Sequence, residues 1–203
     1  MCVCCSLRAG SLEVKITDLK GAPVADAVVF ATRDGAVPGG ARKQTVIDQQ
    51  NKQFVPYVTA VQVGTAILFP NHDNIRHHVY SLSPAKKFEL PLYAGVPAAP
   101  VIFDKEGFVT LGCNIHDWMI AYVAVLSTPY FQVTDSRGEV TLKGLPPARF
   151  TVEVWQPLLK GKPEDFAQSV DLTSEGKELA FTLDLRPDFR KRRAPGISTG
   201  GYP

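Results

Sequence analysis

The chain has 203 residues, a formal net charge of +2, 45% apolar and 21% charged residues, the balance of a globular protein with enough length for one large or two small β domains. A charge so near neutrality excludes the strong positive field of a nucleic-acid-binding protein. No run reaches the ~18 apolar residues that a transmembrane helix needs.

The opening Met1-Cys2-Val3-Cys4-Cys5 lacks the basic start and full apolar stretch of a signal peptide. Residues 1–10 read as a signal remnant or a disordered lead, with a small metal cluster at Cys2, Cys4 and Cys5 as the alternative. Leu12-Glu13-Val14-Lys15-Ile16 alternates apolar and polar, which predicts a half-buried strand. A turn is expected over 18–23 and a second strand over 24–32. Residues 34–50 are polar and glycine-rich, a natural seam. Two apolar runs around Gly64 span 58–69, and further strands are expected at 78–81, 108–111 and 120–126. After Thr128-Pro129 the texture of the start returns. Thr134-Asp135-Ser136-Arg137-Gly138 and Gly144-Leu145-Pro146-Pro147 read as turns, with strands at 150–155 and 179–185. A short helix is expected over 162–169. Residues 186–203 carry Arg190-Lys191-Arg192-Arg193 among glycine and proline and read as a disordered basic tail; docking to an acidic partner or anionic lipid is the alternative. Many short strands separated by turns predict an all-β sandwich or barrel.

Three cysteines crowd the start and Cys113 stands alone, so no disulfide framework can cross the fold. Cys113 is either an inert buried residue or the point of the chemistry. It opens Cys113-Asn114-Ile115-His116-Asp117-Trp118-Met119, which offers a thiolate, an imidazole and a thioether in one short loop. Soft sulfur with imidazole suits copper, and a blue-copper centre takes one Cys and two His with a weak axial Met. The remaining ligand must come from elsewhere, and Phe69-Pro70-Asn71-His72-Asp73-Asn74-Ile75-Arg76-His77-His78 lies upstream.

The chain here resembles the cupredoxins, the small blue-copper proteins of plastocyanin and amicyanin type. Val61, Gly64 and Thr65 match their turn, Phe69 and Asn71 their F-x-N segment, and Cys113-x2-His116-x2-Met119 their ligand loop of short, amicyanin-like spacing. The resemblance covers residues 45–125. It implies one mononuclear type 1 copper ion held by His77, Cys113, His116 and Met119. It also makes Asn71 a residue that ties the two ligand-bearing loops together by hydrogen bonds. Adjacent strand residues face opposite ways, so His78 is expected at a surface or edge. His72 is expected in solvent; the alternative is a zinc set with His77 and His116. Ile115 and Trp118 read equally as core or as an apolar rim around His116.

The whole chain is also similar to bacterial periplasmic proteins labelled methylamine utilisation proteins, through His77-His78-Val79-Tyr80-Ser81, Phe88-Glu89-Leu90 and the Leu111–Met119 stretch. It departs from them at Trp155-Gln156-Pro157, where they often carry His in the middle position.

The fold expected is a cupredoxin-like Greek-key barrel over residues 45–128. Its flanks, 11–36 and 129–185, would combine into a small transthyretin- or carboxypeptidase-regulatory-like β-sandwich. The function expected is periplasmic electron transfer with an unidentified redox partner protein, and no enzymatic activity. The sequence has no Gly-rich phosphate loop and no Gly-x-Ser-x-Gly elbow, and too few histidines for a trinuclear copper cluster. The alternative is a non-redox envelope protein that stores or delivers copper, or a β module that binds a partner or carbohydrate.

Overall fold

The structure, a computed structural model, describes residues 10–35, 43–97 and 99–188. The three leading cysteines and the basic run at 190–193 lie outside the described residues.

Alternation along β1 (Gly10–Asp18) places Leu12, Val14 and Ile16 inward and Glu13 and Lys15 outward. β2 (Val28–Thr32) is shorter than the expected 24–32, because Asp26 takes a positive φ of 58° and breaks the extended run. The central segment supplies β3 (Gln44–Val46), β4 (Asp48–Gln50), β5 (Gln53–Val55), β6 (Val58–Gln62), β7 (Thr65–Leu68) and β8 (His77–Ser83). It continues through β9 (Lys86–Tyr93), β10 (Val101–Phe103), β11 (Gly107–Gly112) and β12 (Ile120–Leu126). β13 (Phe131–Val133), β14 (Glu139–Leu145), β15 (Ala148–Trp155), β16 (Gln168–Leu172) and β17 (Lys177–Leu183) follow. The helix expected over 162–169 is only a 3-10 turn, Pro163–Phe166. The last two residues of that span, Gln168 and Ser169, already belong to β16, which pairs with β15.

The chain is all-β. A five-stranded sheet of order β6-β12-β11-β8-β9 faces a smaller sheet of order β10-β7-β3. Ile67, Phe69, Val79, Phe103, Val109 and Leu111 fill the space between them. β6 runs parallel to β12 and β3 parallel to β7, pairings that require crossovers rather than hairpins. The result is a cupredoxin-like β-sandwich.

Strands from both ends of the chain form two more sheets, of order β14-β1-β17 and β13-β2-β15-β16. They share a core that includes Leu12, Ile16, Val29, Phe150, Val152 and Leu183. The sheet carrying β2 and β15 packs on the outer face of the five-stranded sheet. There Phe108 stacks on Trp155 with centroids 4.3 Å apart and planes 6° apart, and Val28, Phe30, Ala124 and Leu126 are buried together. Next to that stack Gln156 is buried, and its Oε1 accepts the Leu158 amide at 2.6 Å. It therefore serves the local turn. Arg186, expected to open the tail, is held: its amide donates to the Leu158 carbonyl at 2.8 Å and its guanidinium to Pro157 at 3.2 Å.

Candidate metal centre

β11 and β12 form a hairpin whose last pair is Gly112↔Ile120, so the loop 113–119 is closed tightly on both sides. The Met119 amide donates to the His116 carbonyl at 2.9 Å, curling the loop back on itself. β8 lies against β11 with Tyr80 opposite Gly112. Continuing that antiparallel register sets Cys113 across from Val79. Side chains alternate along a strand, so Cys113, Val79 and His77 share the inner face, whereas His78 and Tyr80 share the outer one. The Tyr80 ring lies on Gly112, where an added Cβ would meet it at 3.0 Å.

Three side chains converge. Cys113 Sγ is 3.9 Å from His77 Nδ1 and 4.0 Å from His116 Nδ1. The three donor atoms all lie within 4.8 Å of one another. His77 is 0% exposed, Cys113 4% and Met119 1%, and Cys113 and Met119 belong to the same buried cluster. His116 is half-buried at the outer edge, with Ile115 exposed beside it. The Trp118 ring stands 5.1 Å from that of His116, so Ile115 and Trp118 form a rim. Burial lowers the His116 pKa, the charges of His77 and Lys52 add to this, and Asp73 opposes it. The neutral, metal-binding form of the imidazole is favoured in consequence.

The other nitrogen of His77 has a partner that sequence reasoning missed. His77 Nε2 stands 2.7 Å from Asp73 Oδ2. A carboxylate only accepts, so in this contact Nε2 donates, and Nδ1 is the nitrogen that faces Cys113. Asp73 also accepts the Asn51 amide at 2.6 Å and the Lys52 amide at 2.8 Å. Burial alone would raise its carboxyl pKa. The bonds from Lys52, His77 and Asn51 outweigh burial and hold it below the ordinary carboxylate range. The signal available was an acidic residue i−4 from a candidate ligand, but nothing in the sequence aims its side chain.

Asn71 is buried, and among the described residues its side-chain hydrogen bonds go to Ile75, Tyr93 and Asp73 and not to the 113–119 loop. Its Nδ2 donates to the Ile75 and Tyr93 carbonyls, both at 2.9 Å, and its Oδ1 accepts the Asp73 amide at 3.0 Å. Its side chain is committed to the turn that carries Asp73. A second unexpected anchor is Gln49, wholly buried, which donates to the Phe69 and Pro70 carbonyls at 3.2 Å. It also bonds the Tyr93 hydroxyl, which donates in turn to Phe69. Burial pushes the Tyr93 hydroxyl up to about 12, with Gln49 opposing and the Cys113 and Asp48 charges adding to the rise.

The other histidines lie apart from this group. His72 is exposed and its Nδ1 is 2.8 Å from both oxygens of Asp48. His78 points away from Cys113, as alternation requires, but it is not solvated. It is 5% exposed, its Nε2 is 2.8 Å from Glu89, and its Nδ1 has no hydrogen-bond partner among the described residues. Packing of the outer sheet face covers it.

The donor set fits a mononuclear metal. Donors at the usual ~2.0–2.3 Å around a common centre in a trigonal plane stand about 3.8 Å apart, close to the two Sγ–Nδ1 separations observed. One cysteine sulfur with two imidazoles is a donor set soft enough to suit copper, and Met119 is buried in the same core cluster as Cys113.

No protein-family model matches the chain, and no curated protein matches it. Solved structures similar to it include the following three. A purple cupredoxin from Nitrosopumilus maritimus shares 23% identity over 41% of this chain and 99% of its own, with a TM-score of 0.36. A reduced tryptophan-to-tyrosine mutant of amicyanin shares 21% identity over 47% of this chain and 86% of its own, TM-score 0.36. A copper-containing nitrite reductase from Thermus scotoductus SA-01 shares 19% identity over 56% of this chain and 28% of its own, TM-score 0.38. At these scores the fold assignment rests on strand order and register. Among the described residues, no helix is long and apolar enough to cross a membrane.

Proposed function

We propose that this protein is a periplasmic electron carrier in which His77, Cys113, His116 and Met119 would hold one type 1 copper ion. The observation that carries this reading is the buried Cys113 Sγ lying 3.9 Å and 4.0 Å from two imidazole nitrogens. Copper bound by such a set cycles between Cu(II) and Cu(I). The chain's own part is to hold the donors still. The β11–β12 hairpin fixes Cys113, and β8 fixes His77. Buried ligands favour a resident ion over one handed to an acceptor. Half-buried His116, with Ile115 and Trp118 around it, is where a redox partner would come within reach. The flanking strands, 11–36 and 129–185, form a β module of their own in this reading, and the copper domain spans 45–128.

Addition of Cu(II) to the copper-free protein tests the proposal. Expected are an intense visible thiolate-to-copper band and an EPR spectrum with narrow hyperfine splitting. A pale tetragonal Cu(II) signal would refute the electron-carrier reading. The choice of histidine has its own test. His77→Ala removes the band, whereas His78→Ala keeps it and lowers thermal stability, since it empties a buried site on the opposite sheet face. The reverse pattern would show that the wrong histidine is assigned.

A further inference from the structure

The turn between β4 and β5 is a tight hairpin, with Gln50 paired to Gln53 and both central residues left-handed, Asn51 at φ 54° and Lys52 at φ 58°. Asparagine tolerates this conformation, but Lys52 adopts it only where the surroundings hold it. The β4–β5 pairing is one restraint and the Asp73 side chain is another. In this conformation the two successive amides point the same way, and both donate to Asp73, a small anion-binding nest. One of the carboxylate oxygens so held is 2.7 Å from His77 Nε2. The Asp73 backbone is fixed separately, through Asn71 Oδ1.

We infer that Asp73, clamped by the Asn51–Lys52 turn, is the positioning residue of the centre: it locks His77 in the tautomer whose Nδ1 faces Cys113, and it lends the ring negative charge that favours Cu(II) over Cu(I). The first half concerns the copper-free protein; the second rests on the copper reading above. A histidine whose far nitrogen bonds a carboxylate is oriented and made more basic. A more basic imidazole stabilises the more highly charged oxidation state. The hairpin contributes no ligand, yet it sets the site through two amides, which ties that turn to the chemistry.

The test has two arms. In the copper-free full chain at about pH 8, above the ordinary histidine range, nitrogen-15 NMR of the His77 ring is expected to show the proton on Nε2 alone. Asp73→Asn should lose that single tautomer. A wild-type ring protonated on Nδ1 would overturn the inference, and this measurement needs no variant to fold. In the copper-loaded protein, Asp73→Asn should weaken Cu(II) about 10–100-fold against a chelator. Its reduction potential should rise, by about 59 mV for each tenfold loss of Cu(II) relative to Cu(I). Asp104→Asn, which removes an equal charge from an exposed pair with Lys86, should move neither quantity. A wild-type type 1 spectrum with an unchanged potential in Asp73→Asn would overturn the electronic half. An Nε2–H ring in a protein that gives no type 1 spectrum would overturn the copper reading and support the positioning role.

Discussion

In copper-loaded protein, Cys113→Ser is expected to abolish the intense visible band and to widen the EPR hyperfine splitting to that of a tetragonal centre. The band needs a sulfur orbital that donates strongly to copper, and a serine hydroxyl at the same place is a hard oxygen that remains protonated at neutral pH. The fold should survive. Cys113 is 4% exposed and in no disulfide. A hydroxyl there can donate to His77 Nδ1 or His116 Nδ1, so the ~1–3 kcal/mol cost of an unsatisfied buried polar group is largely avoided. Thermal unfolding of the copper-free variant should therefore stay close to wild type while the colour is lost. This pairing of results separates loss of a ligand from loss of structure. A variant that remained intensely blue would remove Cys113 from the centre.

The largest expected stability effect lies at the turn that leads into β14. Gly138 sits at φ +70°, its amide donates to Asp135 at 3.0 Å, and its carbonyl accepts the Ile16 amide at 2.8 Å. An added Cβ would stand 2.4 Å from the Ile16 carbonyl oxygen and 2.8 Å from the Val24 amide nitrogen. Both are backbone atoms of the strand and turn that this residue clamps, so neither can swing aside. Gly138→Ala should cost about 2–6 kcal/mol, from left-handed strain together with overpacking. Gly144 provides the control. Its φ is +76° but nothing lies within 4 Å of its would-be Cβ, so Gly144→Ala should cost only about 1 kcal/mol. Chemical denaturation of both variants measures the difference, and equal losses would show that the Ile16 contact is not rigid. If the flanks form their own module, Gly138→Ala should lower one calorimetric transition and leave the copper spectrum of the loaded protein intact.

Much of the strand plan was legible because burial leaves period-two patterns. Leu12, Val14 and Ile16 announced β1, and the apolar run at 120–126 marked β12 to its bounds. β9 is not among the strands expected, although Phe88 and Leu90 alternate with exposed Lys87 and Glu89 and pack half-buried against the core. The helix expected over 162–169 overlaps only the first two residues of β16, whose strand form comes from pairing with β15.

For the candidate site, the chemistry offered by Cys113, His116 and Met119 was legible along the chain, because a short loop keeps near in space what is near in sequence. It also separated His77 from His78, because alternation on a strand is local. Tertiary structure alone decided what stands behind those donors. Asp73 meets His77 while the Asn51 and Lys52 amides, 22 and 21 residues away, donate to its carboxylate. Asn71 turns to Ile75 and Tyr93, and Gln49 reaches Phe69 and Tyr93. Hydrogen bonds between distant segments depend on the direction of individual side chains, and only the packed sheets set that direction.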